Sequence, residues 1–71
     1  MENQGLSLTG RLERWAVLGH SLWGEIYDDV HKRFEDGRLI QTSYLVVHPE
    51  ELYEGLVIES RYSVYLLGEK A

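Results

Sequence analysis

The chain has 71 residues, with no cysteine and a single proline. Without cysteine it can form neither a disulfide bridge nor a thiolate zinc site, a composition expected in a reducing cytoplasm. No apolar run approaches the roughly 20 residues that a membrane-spanning helix needs. The polar, acidic residues 1–5 do not fit a secretory signal peptide. These absences predict a cytoplasmic protein without a membrane segment.

Basic residues are also scarce, because 7 Lys and Arg stand against 12 Asp and Glu, giving a net charge of −5. This balance disfavours a protein that follows nucleic-acid phosphates, whose first requirement is a basic surface. The acidic residues are most concentrated in residues 50–59, where no Lys or Arg occurs. In a small inhibitor of a nucleic-acid enzyme, such a stretch would imitate phosphate charge.

The chain nevertheless contains enough apolar residues to fold. With 44% hydrophobic residues it is too apolar to be disordered, and its length allows only one core. We expect residues 1–9 to form a flexible N-terminal arm and residues 10–71 a single β domain. A core of this size barely offsets chain entropy, so a dimer or a bound partner would add stability.

Short apolar and β-branched runs separated by Gly or Asp-Gly predict strands and turns. Residues 12–28 fit a β-hairpin around Gly19 and His20, since a two-residue loop with Gly first suits a type II′ turn. The favoured register pairs Arg14 with Glu25 and Val17 with Leu22, and places Trp15 over Gly24. The slipped register would oppose Glu13 and Glu25, which is a like-charge pair.

This register divides the hairpin into two faces. The face predicted to be core carries Trp15, Val17, Leu22 and Ile26. The opposite face carries Leu12, Arg14, Ala16, Trp23, Glu25 and Tyr27.

The remaining chain predicts further strands. Residues 28–38 form a polar connection with an Asp36–Gly37 turn and with Phe34 anchoring it to the core. Residues 39–47 form a strand whose inner residues are Ile40, Thr42, Tyr44 and Val46. Residues 48–55 predict one helical turn with Pro49 in its first turn. Residues 56–60 and 63–67 form a second hairpin around Arg61 and Tyr62.

The predicted fold class is mainly β: a small antiparallel five-stranded half-open barrel, SH3-like, or a meander, with one short helical turn.

Catalytic and metal-binding signals are weak. Asp28, Asp29 and His31 are potential ligands within four residues, but no second ligand cluster accompanies them, and we expect turn-capping carboxylates. His20, His31 and His48 are scattered, and none lies in a nucleophile signature with a serine. Glycine-rich nucleotide loops and calcium loops are absent. We therefore expect that the protein is not an enzyme and that it binds neither a cofactor nor a metal ion.

One basic and aromatic cluster offers a nucleic-acid alternative. Lys32, Arg33 and Arg38 would meet phosphate while Phe34 or Tyr44 stacks on a base. Four carboxylates are interleaved with this 31–38 basic loop and offset its field: Asp28, Asp29, Glu35 and Asp36.

A protein-binding role is better supported. Trp23 and Tyr27 lie on the face opposite the predicted core, beside Arg14, and these residue types are favoured at the centres of protein interfaces. The alternative is that the curled sheet or the N-terminal arm covers these aromatic side chains. The sequence thus predicts an interaction module that binds a protein partner or self-associates.

Three segments carry a resemblance: residues 24–29 read GEIYDD, residues 33–43 read RFEDGRLIQTS and residues 59–66 read ESRYSVYL. Over about residues 12–67 the chain resembles a family of small proteins from proteobacteria, phages and other mobile elements. That family tends to have Asn where this chain has Tyr62. The resemblance implies an accessory protein of a phage, plasmid or integron cassette, and it transfers no catalytic residue. The small-barrel dihydrofolate reductases of plasmids share this size, but their active-site strand motif is absent here.

Overall fold

Five short strands form one sheet in a computed structural model that describes residues 7–46 and 51–71. They are β1 (Gly10–Leu18), β2 (Ser21–Tyr27), β3 (Arg38–Gln41), β4 (Val57–Glu59) and β5 (Val64–Leu67). Their order across the sheet is β3-β2-β1-β5-β4. The prediction of a small, mainly β domain with five strands is confirmed.

The sheet is mixed rather than purely antiparallel, because β1 runs antiparallel to β2 but parallel to β5. Within the described residues it is not closed into a barrel. One antiparallel bridge, between Leu45 and Ser60, connects the segment after β3 with the segment after β4. The sheet therefore curls around the side chains on its inner face without completing a continuous ladder.

A β-bulge in β1 combines the two registers that the sequence allowed. Near the turn, Val17 pairs with Leu22 as predicted, but on the other side of the bulge Glu13 pairs with Glu25. Arg14 lies at the bulge with a φ of 49°, in the left-handed region. The two carboxylates are accommodated because Glu25 pairs with Arg14, while Glu13 pairs with Arg11.

The bulge changes which residues face the core. Leu12 is buried beside Trp15 instead of pointing outward, since the extra residue returns both side chains to the inner face. The placement of Val17 in the core was wrong, because it is 47% exposed. On the side of β1 away from β2, β5 pairs with β1 only as far as Leu12. The C-terminal segment then continues alongside β1 only as far as Trp15, so Val17 has β2 on one side and no described strand on the other.

Apolar residues from all five strands and from the connections form the core. Phe34 packs against it from the 28–37 connection, as predicted, and Leu52 and Leu56 do so from the segment before β4. The buried core residues are Leu12, Trp15, Leu22, Ile26, Ile40, Leu45, Ile58, Tyr65 and Leu67.

The alternation predicted for residues 39–47 holds only for its first half. Ile40 and Thr42 are buried, but Tyr44 and Val46 are exposed and Leu45 is buried instead. The reason is that the backbone changes its hydrogen-bonding partner between Thr42 and Val46, from β2 to the end of β4. Thr42 still donates its N–H to β2, whereas the Val46 N–H donates to the Glu59 carbonyl oxygen at 2.8 Å. Residue 47 lies outside the described residues.

The second hairpin is confirmed: Glu59 pairs with Val64, and the Ser60 N–H donates to the Ser63 carbonyl oxygen at 2.8 Å, enclosing Arg61 and Tyr62. Residues 48–50 of the predicted helical turn, including His48 and Pro49, lie outside the described residues. Residues 51–55 are not helical and contain a turn with Gly55 at a φ of 92°.

The folded domain already includes Thr9, which was predicted to belong to the N-terminal arm. Thr9 is buried, its N–H donates to the Val64 carbonyl oxygen at 2.6 Å, and its carbonyl oxygen accepts from Val30 at 2.8 Å. Residues 1–6 of the predicted arm lie outside the described residues.

Candidate functional site

The face of β2 and β3 that points away from the core carries the predicted interaction residues. Directly paired residues of antiparallel strands share a face, and Trp23 pairs with Gln41 while Glu25 pairs with Leu39. We call this the outer surface and define it by Arg14, Trp23, Glu25, Tyr27, Leu39 and Gln41.

The apolar part of the outer surface consists of Trp23 and Leu39. Trp23 is 37% exposed and Leu39 is 60% exposed. They are diagonal neighbours across β2 and β3, a separation that long side chains can bridge. Neither belongs to the core cluster, so the structure leaves an aromatic ring and an aliphatic side chain beside each other at the surface.

The polar part is a network of three side chains. The Arg14 guanidinium pairs with the Glu25 carboxylate and donates to the Tyr27 hydroxyl oxygen at 3.4 Å, and that hydroxyl donates to Glu25 at 3.3 Å. The hydrogen bond from Arg14 holds the pKa of Glu25 below its usual value, and the same bond raises the pKa of Arg14. Arg11 stacks over the Tyr27 ring with its guanidinium carbon 5.0 Å from the ring centre. The structure thus brings Arg14, Trp23 and Tyr27 together on one surface, with the Arg14 charge already balanced.

The connection after β2 encloses a surface pocket of about 420 Å³, lined by Asp28, Asp29, Lys32, Arg33, Phe34, Glu35 and Asp36. Its structure depends on the buried carboxylate of Asp29. That carboxylate accepts hydrogen bonds from the backbone N–H groups of Arg33 at 2.8 Å and of His31 and Phe34 at 3.2 Å. Asp29 therefore fixes the path of the chain from residue 29 to residue 34.

Two opposing effects act on Asp29. Burial raises the pKa of its carboxyl group, but hydrogen bonds from the Arg33 side chain and from the Arg33 and His31 backbones outweigh burial and leave the pKa below its usual value. The Arg33 guanidinium lies 3.3 Å from Asp29, so the charge of Arg33 is already engaged within the loop.

The four residues of the nucleic-acid alternative, Lys32, Arg33, Phe34 and Arg38, are close together. Arg33 and Phe34 already have partners within the domain, because Arg33 forms an ion pair with Asp29 and Phe34 packs against the core. The guanidinium carbons of Arg33 and Arg38 lie 5.1 and 6.0 Å from the Phe34 ring centre. Lys32 is exposed, with a φ of 55°. Because four carboxylates line the same pocket as Lys32 and Arg33, the local field does not favour phosphate.

The described residues bring no group of three or more His, Cys, Asp or Glu side chains together for a metal ion. Asp28 pairs with Arg11 at 2.8 Å, and Asp29 accepts the loop N–H groups. Both carboxylates thus have structural partners.

A second exposed aromatic surface was missed by the sequence analysis. Tyr44 is 71% and Tyr62 is 74% exposed, and they lie near each other because the Arg61 N–H donates to the Tyr44 carbonyl oxygen at 2.9 Å. The Tyr44 ring also lies 6.0 Å from the His20 ring. We call Tyr44, Tyr62, Arg61 and His20 the tyrosine surface. Periodicity placed Tyr44 inside, and the one contrary signal in the sequence was the apolar Leu45 beside it.

The acidic stretch is partly described. Glu51, Glu54 and Glu59 are exposed, and the Glu54 carboxylate accepts the Lys70 N–H at 3.2 Å. Glu50 lies outside the described residues.

Comparisons with protein-family models, with curated proteins and with solved structures find no match to this chain. Across residues 7–46 and 51–71 no helix is long and apolar enough to cross a membrane.

Proposed function

We propose that this chain is a small protein-interaction module that binds its partner through the outer surface. The observation that carries this proposal is the position of Trp23, which lies beside the exposed Leu39 on the face away from the core. Tryptophan, tyrosine and arginine are the residues most enriched among those that contribute strongly to binding. The outer surface has one of each within a short stretch of two strands.

The chemistry of this surface suits an apolar contact more than an ionic one. Arg14 and Glu25 neutralise each other, so a partner would not need to supply a countercharge. Binding would be driven by removing Trp23 and Leu39 from water, while Tyr27 and Arg14 offer hydrogen bonds at the edge.

The resemblance to small proteins of mobile elements makes a host protein or an element-encoded protein the partner class that we propose. We place this encounter in the cytoplasm, because the chain has no cysteine. The proposed role is binding and not catalysis. Nucleic-acid binding by the 31–38 basic loop has less support, because Arg33 is engaged with Asp29 and Phe34 packs against the core.

The test compares exposed aromatic residues on two surfaces. Trp23→Ala should abolish capture of a partner from native host lysate, whereas Tyr44→Ala on the tyrosine surface should preserve it. Both variants should keep the wild-type circular dichroism spectrum. The double variant Lys32→Ala, Arg33→Ala should reduce capture far less, since neither residue lies on the outer surface. Thermal melting checks that the domain stays folded when the ion pair between Arg33 and Asp29 is removed.

Two results would contradict the proposal. If Trp23→Ala unfolds the domain, Trp23 belongs to the core. If capture depends on the basic pair, is lost with nuclease treatment and falls steeply with salt, the chain binds nucleic acid instead.

A further inference from the structure

β3 is an edge strand, and its outward side carries backbone hydrogen-bonding groups that no described residue uses. The Thr42 N–H donates to the Leu22 carbonyl oxygen at 2.8 Å, and the pairing of Ile40 with Gly24 continues the same register. Antiparallel strands alternate between residues bonded inward and residues bonded outward. Leu39 and Gln41 therefore direct their N–H and C=O groups away from β2, where no described residue pairs with them.

The other edge strand, β4, follows the same alternation. In β4 it directs the backbone of Val57 and Glu59 outward, and the Glu59 carbonyl oxygen indeed accepts the Val46 N–H. The β4 edge is thus partly covered within the chain. The β3 edge has no such cover among the residues that the structure describes.

We propose that β3 pairs antiparallel with β3 of a second copy of this chain, with the two-fold axis passing through the Ile40 pair. In this register Leu39 lies opposite Gln41 of the second copy, and Gln41 lies opposite its Leu39. Each of these residues donates and accepts a backbone hydrogen bond outward, so the edge is complementary to itself, as a two-fold interface requires.

Side chains in this register favour a second copy over an unrelated strand. Arg38 lies opposite Thr42, so no charge faces a like charge across the new ladder. On the outer surface the two Leu39 side chains become diagonal neighbours, and each already neighbours the Trp23 of its own copy. The exposed apolar side chains of two copies thus join into one continuous strip. The four-residue length of β3 implies a small interface and hence a weak dimer.

This inference deepens the proposed function by naming a partner for one edge of the outer surface, but the two can fail separately. Capture of a protein that depends on Trp23 by a strictly monomeric chain would leave the proposed function in place and overturn the dimer. A dimer without partner capture would do the reverse.

The first experiment is sedimentation equilibrium of the wild-type chain from about 10 μM to about 1 mM, the range that suits a weak interface. The average mass should rise from that of the 8.3 kDa monomer toward twice that value. Added salt should increase association, because each copy carries a charge of −5 that salt screens.

Gln41→Pro removes an outward N–H without removing a bond inside the sheet, because proline is tolerated on edge strands where its nitrogen faces outward. It should abolish the concentration-dependent rise in mass. Val57→Pro is the matched control, since it makes the same change at an outward position of β4 and should leave dimerisation intact. Thermal melting checks that both variants fold.

A second pair of variants keeps the test decisive if proline disturbs folding. Leu39→Glu and Leu39→Lys should each be monomeric, and mixing them in equal amounts should restore a dimer of one copy of each. A wild-type chain that stays monomeric to about 1 mM would overturn the proposal. So would a dimer that survives Gln41→Pro, one lost equally in Val57→Pro, or a charge-swapped mixture that does not associate.

Discussion

The indole N–H of Trp15 donates a hydrogen bond of 2.9 Å to the carbonyl oxygen of Gly68. Trp15 is completely buried at the bulge of β1, and its backbone bonds to the same segment, since its carbonyl oxygen accepts the Ala71 N–H at 2.9 Å. Beside this contact, the Glu13 carboxylate accepts the Glu69 N–H at 2.7 Å. These bonds hold residues 68–71 along the part of β1 where the bulge interrupts its regular pairing.

Gly68→Ala should destabilise the domain by only about 0.5–1 kcal/mol, because the added β-carbon would meet the end of the flexible Glu13 side chain, which can move aside at the cost of its hydrogen bond from the Glu69 N–H. Urea unfolding measures the change. In a Glu13→Ala background the same substitution should cost clearly less, since the obstructing carboxylate is gone. Equal costs in the two backgrounds would contradict this account of the contact.

Gly24→Val should destabilise the fold by about 1–3 kcal/mol through overpacking. A β-carbon at residue 24 would already lie 3.2 Å from Cβ of Trp15 and 3.3 Å from the Glu13 carbonyl oxygen. Gly24→Ala serves as the graded control and should show a smaller loss in the same denaturant experiment. A midpoint for Gly24→Val within error of the wild type would show that Trp15 does not approach β2 this closely.

Asp29→Asn should destabilise the domain by about 2–3 kcal/mol, because a buried carboxylate that accepts three backbone N–H groups is replaced by a neutral amide. Asp28→Asn is the matched control and should cost less than about 1 kcal/mol, since Asp28 is exposed and its ion pair with Arg11 is at the surface. Denaturant unfolding at neutral pH compares the two. Similar losses would mean that Asp29 does not organise the loop.

Acid should weaken the wild-type fold more than the Asp29→Asn variant. The folded-state pKa of Asp29 lies below its unfolded-state value of about 3.9, so its contribution is complete above that value. The contribution is then lost as the pH falls through the folded-state pKa. The pKa values of Glu13 and Glu25 are also lowered. Both residues are present in the wild type and in the variant, so they contribute equally to the two curves. The unfolding free energies of the wild type and of Asp29→Asn, measured between about pH 5 and pH 2, should therefore converge toward low pH. Parallel curves would show that Asp29 does not have a lowered pKa in the folded state.

Local turn signals explain why much of the fold could be predicted. Gly19 with His20, and Arg61 with Tyr62, set two hairpin turns, and Asp36 with Gly37 starts β3. Each depends on residues next to one another in the chain, and a sequence displays such relations directly. The anchoring of the loop by Phe34 belongs with them, because a lone aromatic residue in a polar connection has few other places to go.

The candidate site was partly predictable for the same reason. The alternation of β2 placed Trp23 and Tyr27 on one face, and they lie together on the outer surface with Arg14. The loop residues could be listed, but the sequence did not reveal that Asp29 would take up the charge of Arg33 and the backbone N–H groups around it. Those bonds depend on the burial of one carboxylate, which is a property of the folded loop.

The sequence by itself thus determined a mainly β domain, its hairpin turns and the outward position of Trp23. Only the tertiary structure decided that Leu12 is buried, that β5 pairs parallel to β1, and that Leu45 rather than Tyr44 enters the core. Alternation with a period of two residues cannot show where one extra residue is inserted. The bulge in β1 is such an insertion, and it reverses which residues face the core beyond it. The other two outcomes depend on partners far away in the chain, Gly10 with Tyr65 and Leu45 with Ser60, and no local pattern encodes which distant strand will be adjacent.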